Sequence, residues 1–255
     1  MLIDTHAHLY SSKFDSDRED ALARAIDAGV GKFFLPNVDL ATIAAMDALA
    51  EAHPGRCFAM MGLHPCSVGE RNEEALATVE RLLRTGRYCA VGEIGIDLHW
   101  DRTWIAQQRE AFRQQVRWAK ELGLPVAIHC RESFHEVIAM VEQENDDRLR
   151  GVFHCFTGTP DDARRIIALG GFFLGIGGVI TYPKGGLFET MREVGHGHCV
   201  LETDAPYLAP APHRGRRNES AYLPLIAARL AEATGVPAAE IARITTANAE
   251  RLFKR

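Results

Sequence analysis

Two histidines near the start of the chain, His6 and His8, sit in a short apolar run, Leu2 to Leu9, that reads as a β-strand. Alternate residues of a strand share a face, with α-carbons roughly 6.6 Å apart, so both imidazoles can converge on one ion. Alone, such a pair is more often two satisfied polar residues at a strand end. Glu93, His129, His154 and Asp204 add four more ligand-type side chains, each set in or at the end of another largely apolar run. Six such groups are costly to bury unpaired. Divalent cations remove that cost by accepting neutral imidazole nitrogen and carboxylate oxygen. The expectation is two ions, with His6, His8 and Asp204 on one, His129 and His154 on the other, and Glu93 bridging both. One ion beside a hydrogen-bonded histidine network is the alternative. By ligand type the metal is Zn, Mn, Co or Ni, while Mg prefers oxygen yet commonly serves phosphate chemistry.

The elements that must position these groups are legible as an alternation. Strand-like runs cover Leu2 to Leu9, Gly31 to Val38, Cys57 to His64, Cys89 to Asp97, Pro125 to Cys130, Gly151 to Phe156, Gly171 to Gly178 and Cys199 to Asp204. Helical patterns lie between them, including Asp17 to Ala28, Leu40 to His53, Asn72 to Arg84, Trp104 to Leu122, Ser133 to Glu144 and Pro160 to Leu169. Eight strands with interleaved helices in 255 residues predict one α/β domain over 1–255, a (β/α)₈ TIM-like barrel with its chemistry at the C-terminal strand ends. An open doubly wound sheet is the rival, but no GxGxxG follows the first strand.

Composition narrows the class. Hydrophobic residues make up 47% and charged residues 25%, which excludes disorder and coiled coil. A net charge of -5 means that any affinity for phosphate must be local. The longest uncharged run, 166–183, is broken by five glycines and is not a membrane span. The first residues lack the basic and apolar regions of a secretory signal, and six cysteines without a CxxC fit free thiols, so the expected location is the cytoplasm. No obligate protein partner is evident.

Several residues could meet a substrate. His64 ends the third strand run and points toward the barrel mouth. After the eighth run, Arg214, Arg216 and Arg217 crowd one loop and could make bidentate phosphate contacts, if the loop is not simply solvated. Trp100 and Tyr207 could stack on bases or pack as core or lid. The remaining histidines, His53, His99, His135, His196, His198 and His213, take no metal role.

Along nearly its whole length the chain resembles the TatD family of metal-dependent hydrolases. The resemblance rests on Asp4-Thr5-His6-Ala7-His8-Leu9, Gly62-Leu63-His64-Pro65, Gly92-Glu93-Ile94-Gly95-Ile96-Asp97, His129-Cys130-Arg131, His154-Cys155-Phe156-Thr157-Gly158 and Leu201 to Leu208. It implies a TIM-like barrel, a two-metal centre on the six residues above, and hydrolysis of phosphodiesters, typically as a deoxyribonuclease with a DNA or nucleotide substrate. The segment around Arg214, Arg216 and Asn218 is similar to the family's RGKxN, with Arg216 in place of Lys. Departures fall at Ser133 and His135, in place of a more usual Ala and acid, and at Gly195-His196-Gly197-His198. Asp204 and Glu93 are the candidate catalytic residues, Asp204 as both ligand and proton acceptor. Hydrolysis of an amide or ester on the same centre, or a non-catalytic metal-binding scaffold, are the competing functions.

Overall fold

A computed structural model describes residues 1–254. Eight parallel strands, β1 (Leu2–Asp4), β2 (Val30–Pro36), β3 (Cys57–Met60), β4 (Val91–Asp97), β5 (Val126–Arg131), β6 (Gly151–Phe153), β7 (Phe172–Ile176) and β8 (Cys199–Leu201), alternate with helices. These are α1 (Arg18–Asp27), α2 (Ile43–Ala52), α3 (Glu73–Leu83), α4 (Ile105–Leu122), α5 (Phe134–Glu144), α6 (Pro160–Ala168), α7 (Leu187–Val194), α8 (Leu223–Thr234) and α9 (Ala238–Phe253). Strands β1 to β3 form one continuous ladder and β4 to β8 another. Backbone pairs beyond the strands join the two: Met61 bridges Val91 on one seam, and Ala7 bridges Ala205 on the other. On that second seam Thr5 N–H donates to Leu201 O at 3.0 Å, and Asp204 N–H to His6 O at 2.8 Å. The result is a closed α/β barrel of the TIM type. No helix among the described residues is long and apolar enough to cross a membrane.

The two-residue period of a strand decides what fills the barrel. Ala127, Val152, Phe173 and Val200, from β5 to β8, cluster with Ile3, Phe34 and Met60 in an apolar layer inside it. Residues between them, such as Phe33, Leu35, Ile128 and Leu174, belong to the larger core shared with the helices. Ala249, Leu252 and Phe253 of α9 complete the inner layer, with Phe253 stacked 4.1 Å from Phe34, so α9 closes the floor. Two residues further along the chain stand His129 and Gly175, on β5 and β7, and His154 and Glu202, just past the ends of β6 and β8. The strand period thus carries the chain from an oily floor to a polar mouth.

The strands are shorter than the sequence pattern predicts at their C-terminal ends. Runs expected to reach Leu9, His64, Phe156 and Asp204 leave the ladder at Asp4, Met60, Phe153 and Leu201. His6 and His8 therefore lie beyond β1 rather than on one of its faces, and Cys89 and Cys155 fall just outside β4 and β6. Cys155 and Asp204 have φ of +47° and +57°, a conformation costly for most side chains and commonest at functional sites. The cysteines are free thiols, as expected.

Arg217, expected to face phosphate, points elsewhere. It grips both carboxylate oxygens of Asp17 at 2.6 and 2.7 Å, donates to Glu219 at 2.7 Å, and lies over the Phe14 ring. Arg24 of α1 bonds the same two acids, so a ring of two arginines and two acids ties α1 to the segment entering α8. The Arg217 and Arg24 hydrogen bonds hold the Asp17 carboxyl below the usual range. For Glu219, partial burial opposes ionisation, but the same arginines outweigh it and its pKa is also lowered. A lowered folded-state pKa gives stability that is present above the unfolded pKa and lost as pH falls through the folded one. Arg217→Ala should therefore lower the thermal midpoint at neutral pH by a few degrees, with the deficit fading only below about pH 4. Arg216→Ala should stay within about one degree of wild type. Equal midpoints for Arg217→Ala and wild type at neutral pH would show the ring to be idle.

Candidate metal centre

All six ligand-type residues meet at the mouth, and Glu93 is at the centre of them. It lies on β4, whose seven residues are all buried. Its Oε2 is 3.1 Å from His6 Nε2 and 3.7 Å from His8 Nε2. Its Oε1 is 2.8 Å from His129 Nδ1 and 3.7 Å from His154 Nε2. Asp204 Oδ1 lies 3.4 Å from His8 Nε2 and 3.9 Å from both His6 and His154. Most of these gaps are too long for good hydrogen bonds. Neighbouring donors that each sit about 2.0–2.2 Å from a shared cation are roughly 3–3.6 Å apart; the 3.1 and 3.4 Å gaps fall in that range, and the 3.7 and 3.9 Å gaps lie just above it.

Charge supports the same fit. Glu93, Asp97, Glu202 and Asp204 bring four carboxylates to one largely buried region. Two divalent cations would carry the matching positive charge and leave the imidazoles neutral, as ligands require. Burial opposes ionising Glu93, yet the imidazoles of His64, His6 and His154 outweigh it and hold its carboxyl well below the usual range. Asp204 is likewise lowered against burial, by His8 and His154.

A second row of residues sets which nitrogen of each imidazole is available. Asp97 Oδ2 is 2.9 Å from His129 Nε2, so that nitrogen carries the proton and Nδ1 faces Glu93. Glu202 Oε1 lies 3.0 Å from His154 Nδ1 and leaves Nε2 for the centre. Burial alone would lower the His154 pKa, but Glu202 and Glu93 push it up to about 10. Gly175 makes room for Glu202, since a Cβ there would come within 2.4 Å of its Oε2. Tyr10 donates its hydroxyl to Pro36 O and accepts from His8 Nδ1 at 2.9 Å, again freeing Nε2. His6 is held differently: its ring stacks on that of His154 at 3.5 Å. Asp4 locks the seam beneath, accepting from Thr203 and from Ser220 Oγ at 2.6 Å. Sequence reasoning assigned no role to Asp97, Glu202, Tyr10 or Asp4. Strand parity was the available signal for Glu202, which stands two residues above the buried Val200.

His64 falls into the cluster too, with Nε2 3.4 Å from both Glu93 Oε1 and His129 Nδ1. Unlike the other rings, it turns its protonated nitrogen toward the cluster. Cys66 N–H donates to His64 Nδ1 at 3.0 Å, so in the neutral ring the proton sits on Nε2. A protonated nitrogen donates to a substrate rather than ligating a metal. Of the arginine loop, Arg214 and Arg216 are exposed, Arg214 lying over the Tyr182 ring at 4.6 Å.

Comparison with known proteins agrees with the fold and with a metal-dependent hydrolase. The TatD related DNase family matches residues 3–254. The metal-dependent hydrolase YabD of Bacillus subtilis, itself uncharacterized, is 36% identical, over 100% of this chain and 99% of its own length. The 3'-5' ssDNA/RNA exonuclease TatD of Cronobacter sakazakii is 36% identical over 99% of this chain and 97% of its own. The crystal structure of YJJV, a TatD homolog from Escherichia coli K12, superposes with a TM-score of 0.93 at 32% identity, covering 100% of this chain and 98% of that one. With its matching length, barrel and clustered histidines and carboxylates, this chain belongs to the TatD family of metal-dependent hydrolases.

Proposed function

We propose that the protein is a phosphodiesterase acting on DNA, working with two divalent ions held by His6, His8, Glu93, His129, His154 and Asp204. The observation that carries this reading is the division of Glu93, one oxygen toward His6 and His8 and the other toward His129 and His154. The nuclease names of full-length relatives support a nucleic-acid substrate.

Bound divalent ions supply Lewis-acid stabilisation of phosphoryl oxygens and lower the pKa of water toward about 7. The chain's residues do the rest. Asp204 presents an ionised carboxylate at the mouth, where it accepts the proton of the attacking water and orients it. His64 offers its Nε2 proton to a phosphate oxygen. Arg214 and Arg216 reach neighbouring phosphates from the loop after β8, while Arg217 keeps its structural partners.

Metal titration followed by elemental analysis should approach two ions per chain, and chelation should abolish phosphodiester hydrolysis. A plateau at one ion with all six ligands intact would remove the bridging role of Glu93.

Asp204→Asn keeps the shape, one ligating oxygen and tolerance of the positive φ. It should lower kcat at least about 10²-fold while most of the metal stays bound. Activity that falls only in proportion to lost metal would leave Asp204 a ligand and nothing more.

Replacing Arg214 and Arg216 together with Ala should weaken binding of single-stranded DNA and flatten its logarithmic salt dependence by about 1.4 for two lost phosphate contacts. An unaltered slope means that the loop is merely solvated.

A further inference from the structure

Among the described residues, only two aromatic side chains are exposed, Trp100 at 71% and Tyr207 at 47%. Large rings left in water are informative when they gather at one place, and these two flank the metal centre on opposite halves. Trp100 follows β4, and its N–H donates to Asp97 Oδ1 at 3.1 Å, while the other oxygen of Asp97 holds His129. Tyr207 follows β8; its N–H donates to Asp204 O at 2.7 Å, and its ring stands 6.0 Å from that of His8. The backbone of each residue is thus tied to one side of the centre, Tyr207 to Asp204 and Trp100 to Asp97, the partner of His129.

Each ring also carries a cation. The Arg131 guanidinium lies 5.2 Å from the Trp100 ring centre and Lys13 Nζ 4.6 Å from that of Tyr207. Among the described residues neither cation has a carboxylate partner, although thirteen of the chain's arginines are in ion pairs. A flat ring backed by an uncompensated positive charge suits a nucleobase on the ring and a phosphate on the cation. A purely apolar ligand would leave both charges unused.

We propose that Trp100 with Arg131, and Tyr207 with Lys13, form two stacking platforms that hold the bases on either side of the scissile phosphate of a single-stranded nucleic acid. The proposal rests on the phosphodiesterase reading and adds the residues that select strandedness. In a duplex, base faces are covered by their neighbours, so the platforms have nothing to stack on; in a single strand they do. Both rings sit on loops held by short hydrogen bonds to ligand-bearing segments, so a stacked strand lays its phosphate over the six ligands.

The test uses the metal-loaded protein and an oligothymidylate with cleavage-resistant phosphorothioate linkages. Trp100→Ala and Tyr207→Ala should each weaken binding about 5- to 100-fold, whereas Trp100→Phe and Tyr207→Phe should keep most of it. Affinity for a blunt duplex should change by less than about twofold. On ordinary oligothymidylate the Ala variants should raise KM more than they lower kcat, with metal content and thermal midpoint at wild-type values. Quenching of tryptophan fluorescence by the oligonucleotide should be largely lost in Trp100→Phe, since Trp100 is the exposed tryptophan, Trp118 being buried and Trp104 half-buried. If wild type cleaves oligothymidylate while the Ala variants bind it as tightly, the platforms are wrong and the phosphodiesterase reading stands. Equal losses on single strand and duplex also overturn the platforms. Metal-loaded wild type that neither binds nor cleaves oligothymidylate overturns both.

Discussion

A carboxylate buried at the heart of a barrel has to be paid for in positive charge, and Glu93 is that carboxylate. Its two oxygens point to two different sets of imidazoles, and the remainder of the mouth is arranged around this division. A shorter acid on β4 would fall short of one set. A cation there in place of the carboxylate would repel any metal. The candidate ligands also come from both sides of the barrel, His6 and His8 from the segment after β1, Glu93 and His129 from β4 and β5, and His154 and Asp204 from the segments after β6 and β8, so the charge at the centre acts across the seam where Ala7 meets Ala205.

Around the ligands, acids and hydroxyls do quieter work. Asp97, Glu202 and Tyr10 each engage one ring nitrogen and so determine which lone pair faces inward. Cys66, through its backbone, does the reverse for His64. Chemically similar histidines are thereby given different tasks by their outer nitrogen alone, which is why counting histidines cannot separate ligands from proton donors.

The first six helices were legible within about a residue at most ends, because amphipathic spacing and glycine stops carry that information locally. The clustering of the six candidate ligands at one mouth was legible too, since an imidazole or carboxylate set in an apolar run must be paired or must bind a cation. The C-terminal ends of the strands were not. There the chain leaves the ladder to turn side chains inward, with left-handed residues at Cys155 and Asp204, and a run of apolar letters continues past the point where pairing stops. Arg217 was unreadable for another reason: Asp17, which takes its guanidinium, lies 200 positions earlier in the chain. Asp97 and Glu202 share short motifs with ligands, and their roles depend on distances that spacing does not encode.

The plug of α9 beneath the barrel has a topological consequence. With Phe253 against Phe34 and Leu252 in the same layer, there is no passage through the middle. Substrate, water and product must use a single doorway. A polymer can therefore be laid across this enzyme or offered to it by an end, but it cannot be threaded through, and each cut piece has to depart by the route along which the next one arrives.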